Sequence, residues 1–340
     1  MEKIRWGIIG CGDVTEVKSG PAFSKVPHSQ LVAVMRRNAD KAADYAKRHG
    51  VPRWYASAND LIHDPEVDAV YIATPPDSHA DYTLQVAAAG KPVYVEKPMA
   101  RTWAECQAML AACEKAQVPL FVAYYRRSQP IFKKIKELLD HGAVGTVRLV
   151  NMRLYHPAAP DLEAGNLPWR VQPEIAGGGL FFDLASHQLD LLDFFLGPIA
   201  SVQGQAANQA HLYPAEDIVT ANFTFASGVL GTGLWCFTVG ESARTDRTEI
   251  VGSTGRLTFS TFGNDEIELE NRDGREVFKI PYPQHVQQPL ISDIVQELRG
   301  AGTSPSNGKS AARTAWVMDQ ILGRKENRKA GIRGFNSIKI

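Results

Sequence analysis

The sequence predicts an α/β protein built from an N-terminal doubly wound parallel sheet and a C-terminal α+β unit with a large, mostly antiparallel open sheet. Short apolar runs alternate with helical segments over the first 123 residues, a rhythm typical of parallel strands covered by helices. Beyond about residue 145, strand-like segments follow one another with short turns between them. The length of 340 residues also fits two domains at roughly 150 residues each. We therefore predict domains over 1–123 and 124–340.

Apolar runs in the N-terminal unit predict buried strands, and the amphipathic segments between them predict helices. The expected strands cover 5–9, 31–35, 69–73, 93–95 and 120–123. The expected helices cover 41–49, 58–63, 79–89 and 103–116. Gly50, Gly90 and Pro119 stand at or just beyond helix ends, where such residues commonly stop a helix. Alternating elements of this kind are joined by right-handed crossovers.

The C-terminal unit begins with a long strand and then turns into a series of strands. A strand over 146–155 precedes a loop rich in Pro and Gly over 157–173 and a helix over 180–196. The following strands are expected over 200–207, 218–225, 229–237, 244–252, 255–259, 266–270 and 276–280. Asp273-Gly274 predicts the last hairpin turn. Two final helices are expected over 287–299 and 309–322.

Composition excludes several classes of protein. Lys and Arg total 37 against 37 Asp and Glu, which lacks the basic surplus of a nucleic-acid binder, although the last residues from Arg324 onward are locally basic. The sequence contains no apolar run of about 18 residues, so no membrane-spanning helix is expected. The four cysteines form no CxxC pair, which favours a reducing, cytoplasmic setting. The nine histidines show no HxH or HExxH spacing, so no metal site is expected.

A glycine-rich turn follows the first predicted strand and opens a helix. The segment Gly7-Ile8-Ile9-Gly10-Cys11-Gly12-Asp13-Val14 has the G-x-G core that binds a pyrophosphate. Gly10 permits the tight turn, and Gly12 lets the main chain approach the phosphates at the helix N-terminus. The alternative is a purely structural glycine turn. Its place in the first βα unit favours a dinucleotide, and we expect contacts from Gly10, Cys11, Gly12, Asp13 and Val14.

The end of the second strand indicates which dinucleotide binds. An NAD site usually has Asp or Glu there to bind the ribose 2′-hydroxyl. Here the strand ends in Arg36-Arg37-Asn38, and the first acidic residue is Asp40. Because guanidinium donors match phosphate oxygens, we predict NADP(H) first and NAD(H) second. The alternative for either arginine is a solvated surface position.

The third predicted strand, over 69–73, is followed by Thr74-Pro75-Pro76 and then by Ser78 and His79. Ligands of open α/β sheets bind at the carboxyl ends of the strands. We therefore expect Thr74, Pro75, Pro76 and His79 to contact the ribose and pyrophosphate of the cofactor. The alternative for His79 is that it only begins a helix.

Two segments carry candidate catalytic side chains. Glu96-Lys97-Pro98 follows the strand over 93–95, and a lysine directly after a buried strand is expected to face the cleft. Asp183 and His187 are four residues apart in a predicted helix and so share one face, after the run Gly177-Gly178-Gly179. A histidine beside a carboxylate is a common proton-transfer group. The alternative is a surface ion pair, with Asp190 as another partner for His187.

These segments together resemble the glucose–fructose oxidoreductase, inositol dehydrogenase and rhizopine catabolism (Gfo/Idh/MocA) family. The resemblance extends to about residue 325 and is carried by GIIGCGDV, ATPPDSHADYTLQVAAAGKPVYVEKPMA and WRVQPEIAGGGLFFDLASHQLDLL. It implies a Rossmann domain followed by an open-sheet domain, with catalysis by Lys97, Asp183 and His187. Ala185 replaces a glycine common in the family and leaves the spacing intact. The resemblance also implies further contacts, with the cofactor from Glu96, Lys97, Arg126, Trp169 and Arg170, and with the substrate from Lys97, Tyr125, Asp183 and His187. Tyr155 is expected to contact the substrate as well, because an aromatic face suits the apolar side of a sugar ring.

The expected reaction is reversible hydride transfer between NADP(H) and a hydroxyl or carbonyl carbon of a sugar, polyol or related cyclic alcohol. His187 would take the hydroxyl proton, Lys97 would stabilise the developing charge on oxygen, and Asp183 would orient the substrate or His187. Alternatives are oxidation of aromatic dihydrodiols on the same fold, or a catalytically silent regulator that senses the nucleotide. Because one sheet face needs covering, we also expect a homodimer or homotetramer through the C-terminal sheet.

Overall fold

Two β-sheets organise the chain in the computed structural model, which describes residues 2–159, 162 and 167–324. The first sheet has six strands, all parallel, in the order β3-β2-β1-β4-β5-β6. Its members are β1 (Ile4–Ile9), β2 (Ser29–Met35), β3 (Arg53–Tyr55), β4 (Ala69–Ile72), β5 (Val93–Val95) and β6 (Leu120–Val122). This confirms the predicted doubly wound parallel sheet.

Helices cover both faces of this sheet because its strands are apolar on both sides. In the N-terminal half they are α1 (Asp13–Val17), α2 (Gly20–Lys25), α3 (Ala39–His49), α4 (Ala58–His63), α5 (His79–Ala88), α6 (Trp103–Ala116) and α7 (Pro130–Asp140). Helices α4, α5 and α6 bury one face, and α2 and α3 bury the other. The strand order reverses between β1 and β4, which opens a crevice at their carboxyl ends.

The predictions missed strand β3 and, among these helices, α2 and α7. Strand β3 has only three residues, none fully buried, so it lacks the apolar run by which the other strands were found. Helix α7 begins with Pro130 at its first turn, and its buried face consists of Ile131, Phe132 and Ile135. These residues pack into the core of the second sheet.

The second sheet has eight strands in the order β14-β13-β12-β11-β7-β10-β9-β8. They are β7 (Val147–Tyr155), β8 (Ile199–Ala207), β9 (Ile218–Phe225), β10 (Leu230–Cys236), β11 (Thr245–Gly252), β12 (Gly255–Phe259), β13 (Glu266–Asn271) and β14 (Gly274–Lys279). All pairs are antiparallel except β7 with β10. The predicted large, mostly antiparallel open sheet is therefore confirmed.

Four further helices lie among the described residues of the C-terminal half, and some of them return to the first sheet. They are α8 (Pro173–Ala176), α9 (Ser186–Leu196), α10 (Gln288–Leu298) and α11 (Gly308–Ile321). Helix α10 buries Leu290, Ile291, Ile294 and Val295 in the core shared with β1 and α2. Helix α11 contributes to the cores of both sheets. The domain boundary at residue 123 stays a prediction, because the C-terminal helices also belong to the core of the first sheet.

Some features predicted from composition concern residues outside the described ranges. The basic segment after Arg324 and residues 160, 161 and 163–166 of the predicted loop lie outside them. Among the described helices, none has both the length and the apolar character needed to cross a membrane. The four cysteine side chains are all free thiols. Over the same described ranges, no three His, Cys, Asp or Glu side chains gather as metal ligands would.

Candidate active site

A cleft of about 800 Å³ lies at the carboxyl ends of β1, β2, β4 and β5 and extends toward helix α9. Strands, their following turns and a loop of the second sheet all contribute to its walls. Its lining includes Gly10, Cys11, Gly12, Asp13, Val14, Lys18, Arg36, Arg37, Thr74, Pro75, Glu96, Lys97, Tyr125, Arg126, Trp169, Arg170, Asp183, His187 and Phe262. The cleft thus brings the glycine-rich turn and both candidate catalytic segments together.

The glycine-rich turn forms a cradle that a side chain would fill. Gly10 has a φ of +89°, and a Cβ there would lie 2.7 Å from Thr74 Cγ2. The N–H groups of Gly10 and Cys11 both donate to the carbonyl of Met35, at 2.9 and 3.1 Å, which fixes the turn against β2. A Cβ on Gly12 would meet nothing closer than 3.9 Å, so Gly12 borders open cleft. The turn therefore fits a dinucleotide pyrophosphate.

Alanine substitutions at the two glycines are expected to have different effects. Gly12 has a φ of −132°, which any residue adopts, so Gly12→Ala should keep its melting temperature while its cofactor affinity falls by about tenfold or more, because the methyl group occupies the cradle. Gly10→Ala should also lose roughly 1–3 kcal/mol of unfolding free energy, because it combines a positive φ with a steric clash. Thermal melts and cofactor titrations measure both effects, and unchanged affinity in Gly12→Ala would contradict the cradle.

Positive side chains gather where β2 ends. Arg36 and Arg37 both line the cleft, and Arg36 Nη1 lies 3.4 Å from the carbonyl oxygen of Cys11. Asn38 caps helix α3 by accepting a hydrogen bond from the N–H of Lys41 at 2.9 Å, and Lys41 is a further cation of the lining. The acidic residues of the lining are Asp13, Glu96 and Asp183, and in the described part of the chain none of them forms an ion pair with Arg36, Arg37 or Lys41. This end of the cleft is therefore positively charged.

The segment after β4 contributes fewer cleft residues than predicted. Thr74 and Pro75 line the cleft, whereas Pro76 and His79 do not. The ring of His79 is fully buried, with Nε2 2.8 Å from the carbonyl oxygen of Thr74 and Nδ1 3.1 Å from that of Pro98. His79 thus ties the turn after β4 to the turn after β5 from beneath the cleft. The prediction that it contacts the cofactor is wrong for this geometry, because both ring nitrogens face carbonyl groups of the main chain.

Lys97 and Asp183 form an ion pair across the cleft. Lys97 Nζ donates to the carboxylate of Asp183 and, at 2.8 Å, to its main-chain carbonyl. Asp183 lies in a π-helical turn, Phe181–Ala185, directly before α9, where a continuous helix was predicted. Burial would raise the pKa of Asp183, but the nearby ammonium of Lys97 outweighs it and lowers that pKa below its ordinary value. Asp183 therefore holds Lys97 in place as a carboxylate.

A buried polar network fixes the turn that carries Lys97. The carboxylate of Glu96 accepts from Tyr71 and, at 2.6 Å, from Gln287 Nε2. Gln287 Oε1 in turn accepts from the hydroxyl of Tyr94 at 2.7 Å. Glu96 also borders the cleft, and its Oε2 accepts from the N–H of Lys97 at 3.1 Å. The sequence predicted Glu96, but Gln287 was missed because it is separated from β5 by nearly two hundred residues.

His187 lies on the first turn of α9, in an aromatic pocket. Its ring is 3% exposed and makes edge contacts with Tyr124, Tyr125 and Phe262, at centroid distances of 5.9, 5.2 and 5.9 Å. Nδ1 is buried with no hydrogen-bond partner in the described part of the chain. Burial, reinforced by positive charge from Arg126, lowers the pKa of His187 well below its ordinary value. The imidazole is therefore neutral at neutral pH.

Neither carboxylate suggested as a partner for His187 is bonded to it. Asp183 is held by Lys97, and Asp190 accepts from Arg127 Nε at 2.7 Å and Nη2 at 2.8 Å. The spacing of four residues predicted that Asp183 and His187 share one helix face. The π-helical turn changes the direction of Asp183 relative to a regular helix. Burial and nearby cations therefore set the pKa of His187, and neither Asp183 nor Asp190 pairs with it.

The remaining predicted residues divide into two groups. Tyr125, Arg126, Trp169 and Arg170 line the cleft, and Arg170 Nε approaches Asp183 Oδ2 at 3.5 Å while its guanidinium stacks on Trp169. Tyr155 ends β7, pairs with Thr245 and Cys236, and is absent from the described lining. Substrate contact by Tyr155 stays a prediction.

Several lining residues were missed by the sequence analysis. They are Lys18, Lys41, Tyr82, Leu184, Phe262 and Gln287. Phe262 lies in the loop after β12, and no motif marks it. The position of Lys18, shortly after the glycine-rich turn, was an available signal, because a cation there is close to a bound anion.

Comparison with known proteins agrees with this geometry. Residues 4–124 match the model of an oxidoreductase family with an NAD-binding Rossmann fold, and residues 132–258 match the GFO/IDH/MocA C-terminal domain. Oxidoreductase P35 of Formosa agariphila is 39% identical over 94% of this chain and 99% of its own. The 1,5-anhydro-D-fructose reductase of Ensifer adhaerens is 27% identical over 90% and 91%.

A solved structure supports the fold. Levoglucosan dehydrogenase, in complex with NADH and levoglucosan, superposes with a TM-score of 0.84 at 23% identity, over 94% of this chain and 96% of that one. At this identity the likeness concerns the fold alone. Together with the two family models, which span most of the chain, it shows that this protein is an oxidoreductase of the Gfo/Idh/MocA family.

Proposed function

We propose that this oxidoreductase transfers a hydride reversibly between NADP(H) and a carbon that bears a hydroxyl or carbonyl group in a sugar, polyol or related cyclic alcohol. One observation carries the proposal: Lys97, held by Asp183, and a neutral, buried His187 line the same cleft. That cleft also contains the glycine cradle. A proton acceptor and a hydrogen-bond donor for one oxygen are what such a reaction requires.

Each side chain has a defined part in the oxidation of an alcohol. The nicotinamide, when bound, supplies or accepts the hydride. His187 accepts the proton of the hydroxyl group, since its lowered pKa keeps the imidazole unprotonated. Lys97 donates a hydrogen bond to the same oxygen and stabilises the charge that develops on it. Asp183 keeps the ammonium aimed into the cleft through its hydrogen bonds. In reduction, His187 returns the proton.

The names of the relatives support a carbohydrate-like substrate. One relative is a reductase of 1,5-anhydro-D-fructose, and the solved structure holds levoglucosan. Both compounds are cyclic and carry several hydroxyl groups. The aromatic side chains of Tyr125, Trp169 and Phe262 border the cleft here and suit the apolar face of a sugar ring.

The cations at the end of β2 support NADP(H) as the cofactor. We expect the double variant Arg36→Gln/Arg37→Gln to lose NADPH affinity by about 10- to 100-fold, since charge-assisted hydrogen bonds to the 2′-phosphate are removed. Its affinity for NADH should change by less than about threefold, because NADH lacks that phosphate. Fluorescence titration with both cofactors measures the two values.

Lys47→Gln offers a matched control, because Lys47 is an exposed cation in the last turn of α3 and is absent from the described lining of the cleft. The control should bind both cofactors as the unmodified protein does. Equal losses for NADPH and NADH in the double variant would count against a 2′-phosphate site, and tighter binding of NADH by the unmodified protein would reverse the cofactor assignment.

The proposed reaction is tested by following absorbance at 340 nm with sugars, polyols, keto-sugars and cyclic dihydrodiols, each with both cofactors. Turnover of a sugar or polyol is the expected result. Turnover of dihydrodiols alone would move the substrate class to aromatic diols. Cofactor binding without turnover of any compound would favour a nucleotide-sensing regulator and overturn the proposal.

We also propose a homo-oligomer formed through the free face of the C-terminal sheet. Helices α7, α9 and α11 bury one face of that sheet. Leu149 and Leu230 are paired neighbours on β7 and β10, and they remain 43% and 60% exposed. Exposed apolar side chains beside each other on a broad sheet are typical of a surface that a second copy covers. Light scattering of the purified protein gives the mass of the assembly.

A further inference from the structure

Arg126 is a buried cation that has no ion-pair partner among the residues that the structure describes. It lies in the 3₁₀ turn Tyr125–Ser128, is 9% exposed, and borders the cleft. Its Nε donates to the carbonyl of Thr261 at 3.0 Å, whereas Nη1 is buried with no hydrogen-bond partner in the described ranges. The guanidinium lies over two aromatic rings, with Cζ 5.0 Å from the ring centroid of Tyr125 and 4.6 Å from that of Phe262.

The next residue shows how the same fold treats a structural arginine. Arg127 is also buried, but its guanidinium forms ion pairs with Asp190 at 2.7 Å and with Asp193 at 3.0 Å. Within residues 2–159, 162 and 167–324, no carboxylate lies within 4 Å of Arg126 to do the same. A buried charge without a counter-charge is costly, so such a group points to an anion supplied from outside the chain.

The carboxylate of Asp246 is occupied by hydrogen bonds to the loop after β12. Asp246 on β11 accepts from Ser260 Oγ at 2.5 Å and from the N–H of Phe262 at 2.5 Å. These bonds hold the loop after β12, which presents the Thr261 carbonyl and the Phe262 ring to Arg126. Asp246 therefore fixes the orientation of Arg126 without pairing with it.

The reacting end of the cleft is positively charged as a result. The charges that act on His187 come from Arg126, Lys97 and Lys18, and all three lower its pKa. Of these, Lys97 is matched by Asp183. An anionic group entering beside His187 would meet an oriented guanidinium between two aromatic rings.

From this geometry we propose that the substrate is a carbohydrate that carries a carboxylate, bound by the unpaired edge of Arg126. The inference rests on the proposed function and names its substrate class, a sugar acid such as a hexuronate. A guanidinium can bind the oxygens of a carboxylate or of a phosphate. The single positive charge of Arg126 balances the single negative charge of a carboxylate, whereas a phosphate monoester carries about −1.5 to −2 at pH 7. Arg126 is then a specificity residue for the acid group, while Lys97 and His187 act on the carbon that reacts.

Matched pairs of sugars test the proposal. D-glucuronate with D-glucose, and D-galacturonate with D-galactose, differ only in the carboxylate, and glucose 6-phosphate is added as a phosphate-bearing probe. We expect kcat/KM for the uronate to exceed that for its hexose by about 10- to 100-fold. Arg126→Met should remove most of this preference, measured as the ratio of kcat/KM for the uronate to kcat/KM for its hexose in the same variant. Arg126→Lys should restore part of it, because the charge remains but the fork geometry is lost.

Three controls make the outcomes distinct. Cofactor affinity without sugar should be the same in Arg126→Met as in the unmodified protein; a loss there would assign Arg126 to the cofactor and overturn the proposal. Arg272→Met changes an exposed arginine of the last hairpin and should keep the uronate preference. Thermal melts establish that each variant folds.

The remaining outcomes separate this inference from the proposed function. Turnover of hexoses with no uronate preference, or preference for glucose 6-phosphate, would overturn the carboxylate and leave the reaction intact. If no sugar is turned over, the reaction fails, and calorimetric titration of D-glucuronate into the complex with cofactor still tests the site. Binding that is weakened by Arg126→Met would support the carboxylate site, and absence of binding would overturn it.

Discussion

Replacing Lys97 with methionine is expected to lower kcat by about 10²- to 10³-fold. The methionine side chain has a similar length, but it cannot donate a hydrogen bond to the oxygen of the reacting carbon. The loss should fall on kcat more than on KM, because that bond is stronger when the oxygen carries charge in the transition state. Steady-state kinetics with the best substrate of the screen measures the effect.

The cofactor site provides the control for this variant. The cradle at Gly10 and Gly12 is formed by the turn after β1, whereas Lys97 follows β5. Cofactor affinity of Lys97→Met should therefore stay close to that of the unmodified protein. The companion variant Asp183→Asn, which leaves Lys97 without its carboxylate, should also reduce kcat. Full turnover by Lys97→Met with normal cofactor binding would exclude Lys97 from the chemistry.

The second large effect is expected at His187. His187→Gln keeps a polar side chain of similar length but cannot accept the proton, and we expect kcat for alcohol oxidation to fall by about 10²- to 10⁴-fold. Because the ring contacts Tyr124, Tyr125 and Phe262, the melting temperature should be compared as well. If His187→Gln retains both its fold and its activity, His187 is not the base.

The pH profile distinguishes a base from a residue that only packs. Oxidation needs the neutral imidazole, and burial of His187 lowers its pKa below the ordinary histidine value of about 6.5. The rate should therefore stay constant as pH falls from neutrality to that value, and decline only at lower pH as the imidazole gains a proton. In His187→Gln this acid limb should disappear. A limb centred at or above the ordinary value would contradict the buried, neutral state.

Features of the sequence that are local were sufficient to predict most of the fold. The apolar runs of the first sheet and all eight strands of the second were found, since each is bounded by turn residues and has a clear period. Strand β3 was missed because it has only three residues, none fully buried and Trp54 exposed, which give no such period. The π-helical turn before α9 was missed because its sequence continues the helical pattern without a break.

The site was predictable only where a motif marks it. The glycine turn, the Glu96-Lys97 pair and the Asp183 to His187 spacing were found in this way, and all of them border one cleft. Gln287 and Phe262 come from distant segments and carry no motif. His79 was misassigned because its place after a strand does not show that its ring points inward, where the carbonyls of Thr74 and Pro98 occupy both nitrogens.

The bond between Gln287 and Glu96 has a consequence for biosynthesis. The turn that aims Lys97 is completed by a side chain that follows it by 190 residues, and α10 buries four apolar residues on the first sheet just beyond it. A nascent chain that has emerged only to residue 123 therefore lacks both the polar partner and the apolar cover. The first sheet can reach its final packing only after ribosomal synthesis has passed α10, so Lys97 is fixed in position only after that point.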